Sequence, residues 1–270
     1  MFPSKNTFRL LLAAPLLGLL LGGCNPTGVD EFDGDPGKAK LMVYNVMPSF
    51  YVYQGVNKEG LPITVTNGLP LYLNLDGVRT FAGPLGYNNY TGYFPVEPGN
   101  RAFRADTAFD ASTAIPKPSA PVVNSNVELA ADRFYTLFVV DTLQSIETVL
   151  VEDDLTPPDP ASGRAKVRFA HMSPDAPAVD VAVQGGPVLF GNQSFKGVTP
   201  FVEVDANSYN LEVRPAGTTT VALPLSNTRF DAGKMYTVVA AGRLNPQKDA
   251  SGNNRNALRG EILINYYVYP

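Results

Sequence analysis

The side chains with the greatest chemical potential in this sequence are few and widely spaced. One histidine, His171, and one cysteine, Cys24, are all the imidazole and thiol that 270 residues contain. A nucleophile or general base needs a partner within hydrogen-bond reach, and a zinc site needs three or four ligands. One of each supplies neither a Cys/His zinc site nor an internal disulfide. The sequence has no Gly-x-Ser-x-Gly elbow, P-loop or His-Glu-x-x-His helix. A carboxylate pair for glycoside hydrolysis is assembled in space, so sequence leaves it open. Glu152-Asp153-Asp154 borders a proline-rich stretch and reads as a solvated strand end. Asp175 and Asp180 read as turn-capping carboxylates, with a calcium site built with backbone carbonyls as the alternative.

Recognition chemistry is better represented. Tyr87-Asn88-Asn89-Tyr90-Thr91-Gly92-Tyr93-Phe94 interleaves aromatic rings with amides, a surface that stacks on sugar rings and hydrogen-bonds their hydroxyls. Tyr87, Asn88 and Asn89 fall in the turn and are the candidate ligand-binding residues. Tyr87 is the ring expected to stand exposed; Tyr90 and Tyr93 take core positions.

Cys24 points to a different chemistry. Lys5 and Arg9 precede the short apolar run Leu10–Leu21, which ends in Leu21-Gly22-Gly23-Cys24. A positive region, a short apolar core and small residues make a secretory signal, and the core is too short for a comfortable membrane span. Leu-Gly-Gly-Cys resembles the lipobox of bacterial lipoproteins, which implies cleavage between Gly23 and Cys24 and acylation of the Cys24 thiol. At ~0.8 kcal/mol per buried CH₂, two or three acyl chains anchor a protein stably. Asn25, in place of an aspartate that would favour inner-membrane retention, points to the outer membrane.

These groups are positioned by a β-rich chain. Hydrophobic residues are 44% and charged residues 17%, with 24 glycines and 24 prolines, a composition of short strands and tight turns rather than disorder. The net charge is −4, and removing residues 1–23 takes away Lys5 and Arg9, so no basic surface for nucleic acid is present. Residues 24–37, with Asp30-Glu31-Phe32-Asp33-Gly34-Asp35, read as an acidic tether; Asp33-Gly34-Asp35 lacks the further ligands of a calcium loop. Residues 156–163, Thr-Pro-Pro-Asp-Pro-Ala-Ser-Gly, read as a semi-rigid linker.

The two sides of that linker repeat each other. Lys40–Pro48 answers Lys166–Pro174, Tyr90–Asn100 answers Val198–Ser208, and Asp132–Thr136 answers Gly233–Thr237. The chain thus reads as one module of about 110 residues duplicated, over 38–155 and 164–270. Tyr209, Leu211 and Val213 alternate with polar neighbours, as do Tyr236, Val238 and Ala240, and Ile262, Ile264 and Tyr266. Such a period of two predicts half-buried antiparallel strands. The repeat also aligns His171 with Asn45, which predicts a shared hydrogen-bonding role at a strand end, bridging the following turn.

The second module, from Lys166-Val167-Arg168-Phe169-Ala170-His171-Met172-Ser173-Pro174-Asp175-Ala176-Pro177 through Tyr209-Asn210-Leu211-Glu212-Val213-Arg214-Pro215-Ala216-Gly217 to Ala232-Gly233-Lys234-Met235-Tyr236-Thr237-Val238-Val239-Ala240, resembles the family known as domain of unknown function 4397. That resemblance implies Ig-like β-sandwich modules of bacterial secreted and surface proteins, often in tandem. It carries no established activity. The first module lacks the Ser-Pro-Asp-Ala-Pro run and has an insertion around Val52–Pro70.

The expectation is therefore an all-β protein: two tandem antiparallel Ig-like β-sandwich domains after a lipoprotein signal peptide, extended as a rod from the membrane. It would act as a non-catalytic binding module for a glycan or an envelope protein, using no cofactor or metal and binding no nucleic acid. The alternatives are a structural subunit of an envelope or surface assembly and, last, a carboxylate-based hydrolase.

Overall fold

The structure, a computed structural model, describes residues 35–56, 62–68, 70–107, 123–142, 145–249 and 251–266. Gly23, Cys24 and the segment read from sequence as a signal peptide lie outside them. The first module comprises β1 (Ala39–Asn45), β2 (Phe50–Val56), β3 (Pro62–Gly68), β4 (Leu71–Leu75), β5 (Val78–Arg79), β6 (Asn89–Tyr90), β7 (Phe94–Val96), β8 (Gly99–Thr107), β9 (Val123–Leu129), β10 (Phe134–Val140) and β11 (Glu147–Asp153). A 3₁₀ turn at Pro160–Ser162 leads into the second module. Its strands are β12 (Arg164–Met172), β13 (Val179–Val183), β14 (Val188–Gln193), β15 (Val202–Asp205), β16 (Asn207–Pro215), β17 (Leu223–Phe230), β18 (Met235–Ala241), β19 (Gln247–Lys248), β20 (Asn254–Arg255) and β21 (Arg259–Tyr266).

Each module is a pair of sheets facing one another. In the first, β11-β10-β1, extended by β6 and β7, faces β5-β4-β8-β9; in the second, β15-β12-β18-β21 faces β14-β13-β16-β17. Leu41 and Val43 of β1 and Leu137 of β10 meet Leu73, Phe103 and Leu129 across the first core. Val167, Phe169 and Val238 meet Val181, Val213 and Phe230 across the second.

The duplication holds to the level of register. Lys40 stands opposite Phe134 on one side and Pro95 on the other, as Lys166 stands opposite Met235 and Glu203. The Val43 amide donates to Thr91 Oγ1 and the Phe169 amide to Thr199 Oγ1. Tyr135 OH accepts from the Ala130 amide, and Tyr236 OH from the Asp231 amide. The modules differ in their excursions: the first inserts the β2–β3 hairpin after β1, the second the β19–β20 hairpin after β18.

The pairing is mostly antiparallel, but the Ig-like closure expected from sequence is not formed among the described residues. The sheets stay separate and open-edged. The first strand of each module lies within its sheet through parallel pairing with the penultimate strand of that sheet, β1 with β10 and β12 with β18. The physical reason lies in β1 itself: all seven residues of Ala39–Asn45 are buried. A strand apolar on both faces is stable between neighbours and between layers, not at an edge.

The rod is also replaced by something more compact. Met42, Tyr44, Val46, Phe138 and Val140 on the outer face of the β1–β10 sheet pack against Ala170, Met172, Val239, Ala241 and Leu263 on the outer face of the β12–β18 sheet. The four sheets therefore stack as layers, with a third apolar core between the modules. Arg259 lies over Tyr87 and Asn265 donates to Tyr93 OH, so β21 and the β6–β7 segment run side by side in one direction. Corresponding ends of the two modules are thereby together.

A buried polar network crosses this third core. Arg168 Nη1 meets Asp153 Oδ1 at 2.6 Å, with side-chain exposures of 2% and 0%. Asp153 Oδ2 accepts from Thr136 Oγ1 at 2.6 Å and from Tyr93 OH at 2.7 Å. Arg168 Nε donates to Thr237 Oγ1 at 2.8 Å, Thr237 donates to Asn265 Oδ1, and the guanidinium lies 4.6 Å from the centre of the Phe201 ring. Asp153 is thus a buried interface residue, not part of a solvated strand end; Glu152 and Asp154 on either side of it are exposed, as expected.

Candidate functional site

β1 carries the chain from one end of the first module to the opposite end, about 20 Å away at 3.3 Å per strand residue. It delivers Tyr44 and Asn45 there. The Asn45 amide donates to Leu85 O, and Asn45 O accepts the Asn88 amide at 2.6 Å, which fixes the Tyr87–Asn88 turn against the end of the strand. Asn88 has φ 61°, a left-handed conformation that asparagine tolerates better than most residues. Its Oδ1 accepts from Tyr44 OH at 3.1 Å. The turn leads into β6, where Tyr90 stands opposite Tyr44 with ring centres 5.6 Å apart and edge to face.

Tyr87 and Tyr90 exchange the environments expected of them from sequence, while Tyr93 takes the core position expected. Tyr87 is half-buried and its hydroxyl is shielded from water beneath Arg259. Tyr90 is the ring that faces solvent, 46% exposed, with Asn89 exposed beside it and Asn88 half-buried. Tyr93 is held by Asp153 and Asn265 in the inter-module core. The inversion has a physical cause. The face expected to be solvent is covered by the second module, so Tyr87 is capped while Tyr90 lies on the rim at the β6 edge.

Two further residues of the site come from the second module. Arg259 and Glu261 lie on the face of β21 that includes Leu263 and Asn265, turned toward the first module. Arg259 Nε donates to Glu261 Oε1 at 2.8 Å, and the side chains are 46% and 30% exposed. Their alternation along Arg259, Glu261, Leu263 and Asn265 was visible in sequence; that a second module covers this face was not. Burial raises the pKa of the Tyr44 and Tyr87 phenols, so both stay protonated donors.

His171 belongs elsewhere. It is fully buried and packs 6.3 Å from Phe169 inside the second module. Nδ1 accepts the Ser173 amide at 3.3 Å and Nε2 lies 3.0 Å from Pro177 O, which sets the neutral Nε2–H tautomer. Asn45 Oδ1 accepts the Met47 amide in the same relation, so the shared strand-end role expected of the two residues is present. Burial lowers the His171 pKa. A cavity of 40 Å³ beside it, lined by Pro177, Val179, Val213, Leu244 and Leu258, falls far below the ~300–1,000 Å³ of ligand pockets.

Asp175 accepts from the Leu244 and Asn245 amides, and Asp180 from the Asn192 and Gly217 amides, the capping roles read from sequence. Among the described residues no three His, Cys, Asp or Glu side chains converge as a metal site. No helix among them is long and apolar enough to cross a membrane.

Two overlapping segments, 63–182 and 165–253, match the family profile described as domain of unknown function DUF4397. The chain belongs to this family. The DUF4397 matches together span β3 to β19, across both modules. No curated protein matches. Among solved structures, the Bacillus anthracis TIE protein is similar at 9% identity and a TM-score of 0.22, over 84% of this chain and 44% of that one. The chain thus spans less than half of that protein's length.

Proposed function

We propose that this DUF4397 protein is a non-catalytic binding module, held at the outer membrane by acyl chains on Cys24. In this reading it binds a glycan or an envelope protein at the end of the molecule remote from that anchor. As in Ig-like sandwiches, recognition would fall to the loops at one end of the sheets. The observation that carries the reading is the rim where Tyr90 lies half-exposed beside Asn88 and Asn89, at the far end of the strand that leaves the tether. Surface loops on a rigid scaffold are where binding residues concentrate. The excursions that distinguish the two modules follow β1 and β18, on the same end. The buried ionisable groups, by contrast, are committed to structure: Asp153 to Arg168, Glu212 to Arg214, and His171 to its own turn.

The test is a glycan array and a pull-down of solubilised envelope proteins with the full-length protein in detergent micelles, each run beside Tyr90→Ala. Saturable binding lost in the variant supports the reading. Binding indifferent to Tyr90→Ala removes this rim as the site. Incorporation of labelled fatty acid, abolished by Cys24→Ser, tests the anchor.

A specific observation favours a second reading, a structural subunit of an envelope assembly. β21 is the outer strand of its sheet, and on its other face Ile262 and Ile264 are 36% and 45% exposed. Open strand edges with exposed apolar residues pair with other chains. Capture of one envelope protein, lost on Ile264→Lys and retained in Tyr90→Ala, is the result that would favour it.

A further inference from the structure

We infer that the ligand of the Tyr90 rim is a neutral saccharide, held between a ring of the first module and the Arg259–Glu261 pair of the second. The inference rests on the binding reading above and narrows it. Three observations carry it.

The first is the balance of charge. Arg259 and Glu261 are joined by the Nε–Oε1 bond, so this ionised pair beside the rim sums to zero. The carboxylate of a sialylated or uronic glycan is held most strongly by a charge-assisted pair with a cation, and a neighbouring anion weakens that attraction. Here a carboxylate stands beside the guanidinium, and the chain as a whole carries −4. Both features disfavour an acidic ligand.

The second is hydrogen-bond polarity. The Arg259 guanidinium has further N–H donors, and Glu261 keeps a second carboxylate oxygen as acceptor. Asn89 adds an exposed amide that both donates and accepts. Adjacent donors and acceptors are matched by adjacent hydroxyls, each of which does both. Tyr90 supplies a flat apolar partner for the C–H face of a sugar ring. Tyr44, buried edge to face against it and bonded to Asn88, fixes that ring before any ligand arrives.

The third is that the site is composite. Asn89 and Tyr90 form β6 and Asn88 lies in the turn before it, whereas Arg259 and Glu261 come from β21. These segments adjoin because the modules dock, with Arg259 over Tyr87 and Asn265 on Tyr93 along the same two segments. A single module presents only half the groups.

The experiment is a glycan array bearing matched neutral and carboxylated oligosaccharides, probed with the full-length protein in micelles and with Tyr90→Ala, Tyr90→Phe and Glu261→Gln. Expected is binding to neutral sugars, at least tenfold weaker in Tyr90→Ala, nearly unchanged in Tyr90→Phe and several-fold weaker in Glu261→Gln. Thermal melting of each variant confirms that it folds; Asn89→Ala serves as a second acceptor-side variant. Binding confined to carboxylated glycans, or strengthened by Glu261→Gln, overturns the inference and leaves the binding module standing. Tyr90-dependent capture of a protein with no glycan bound also overturns it while keeping the rim. Loss of nothing in any variant removes both.

Discussion

Arg168 of the second module and Asp153 of the first meet at 2.6 Å in a contact from which water is almost wholly excluded. Breaking one side of such a pair leaves an uncompensated buried charge, at a cost of about 3–5 kcal/mol, whereas replacing both sides with neutral groups is often tolerated. Asp153→Ala is therefore expected to destabilise the protein by about that amount. The repeat supplies its own neutral version, because Met42 occupies the place of Arg168. Arg168→Met combined with Asp153→Asn should recover most of the loss. Urea unfolding of the two single variants and the double variant checks this through the coupling energy.

The docking of the modules has a separate consequence. A protease nick engineered into the linker at Ser162 should leave the two halves associated, co-eluting on gel filtration until denaturant is added. Either half expressed alone should aggregate, because Met42, Tyr44 and Phe138, or Met172 and Val239, would be left as an exposed apolar patch. A soluble monomeric half would show that the third core contributes little.

His171 should make stability depend on pH in a definite direction. Its folded-state pKa is lowered from 6.5 by burial, so the unfolded chain takes up the proton first. Its contribution is complete above pH 6.5 and is lost as the pH falls through the folded value. His171→Asn, which copies Asn45, should flatten this part of the melting-temperature profile. Asp175, Asp180 and Asp249, with pKa values depressed below 3.8 mainly by backbone hydrogen bonds outweighing desolvation, add a further loss at lower pH that the variant leaves intact. His171→Ala orphans the buried Ser173 amide and should cost about 1–3 kcal/mol.

Asp175 should behave as a local fastener. It holds the Leu244 and Asn245 amides and lies 3.5 Å from Arg243 Nε, tying the excursion after β18 to the turn after β12. Asp175→Ala should speed amide exchange across residues 243–258 by tenfold or more while global stability falls by only about 1 kcal/mol. Equal acceleration in β12 and β18 would show that the excursion does not open by itself.

Much of the module could be read from the residues. Aligning Lys40 with Lys166 and Phe134 with Met235 reproduces the observed cross-strand pairs, and aligning Asn45 with His171 reproduces a hydrogen bond. What was lost is everything that depends on the two modules meeting. In β10, Phe138 and Val140 face outward between inward Leu137 and Val139, so the strand is apolar on both sides and its period of two is blurred. A signal was present at one position: where the first module has Met42, the second has Arg168, and a charge placed in an apolar strand needs a buried partner. Asp153, in an acidic run beside prolines, gave no local sign of being that partner.

The parallel seating of β1 has implications for how the chain is made. Ala39–Asn45 lies against β10, whose first residue is Phe134, and the far side of both waits for Leu263 near the end of the sequence. A chain emerging from its N-terminus thus carries this buried strand without its antiparallel partners until β6 and β7 appear, and without its parallel partner until Phe134–Val140. Contacts this distant in sequence make folding slow, and the uncovered strand is a template for aggregation until they form. The third core, and with it the joining of the four layers, can form only once Leu263 of β21 is available, whereas the core of the first module is complete by β11.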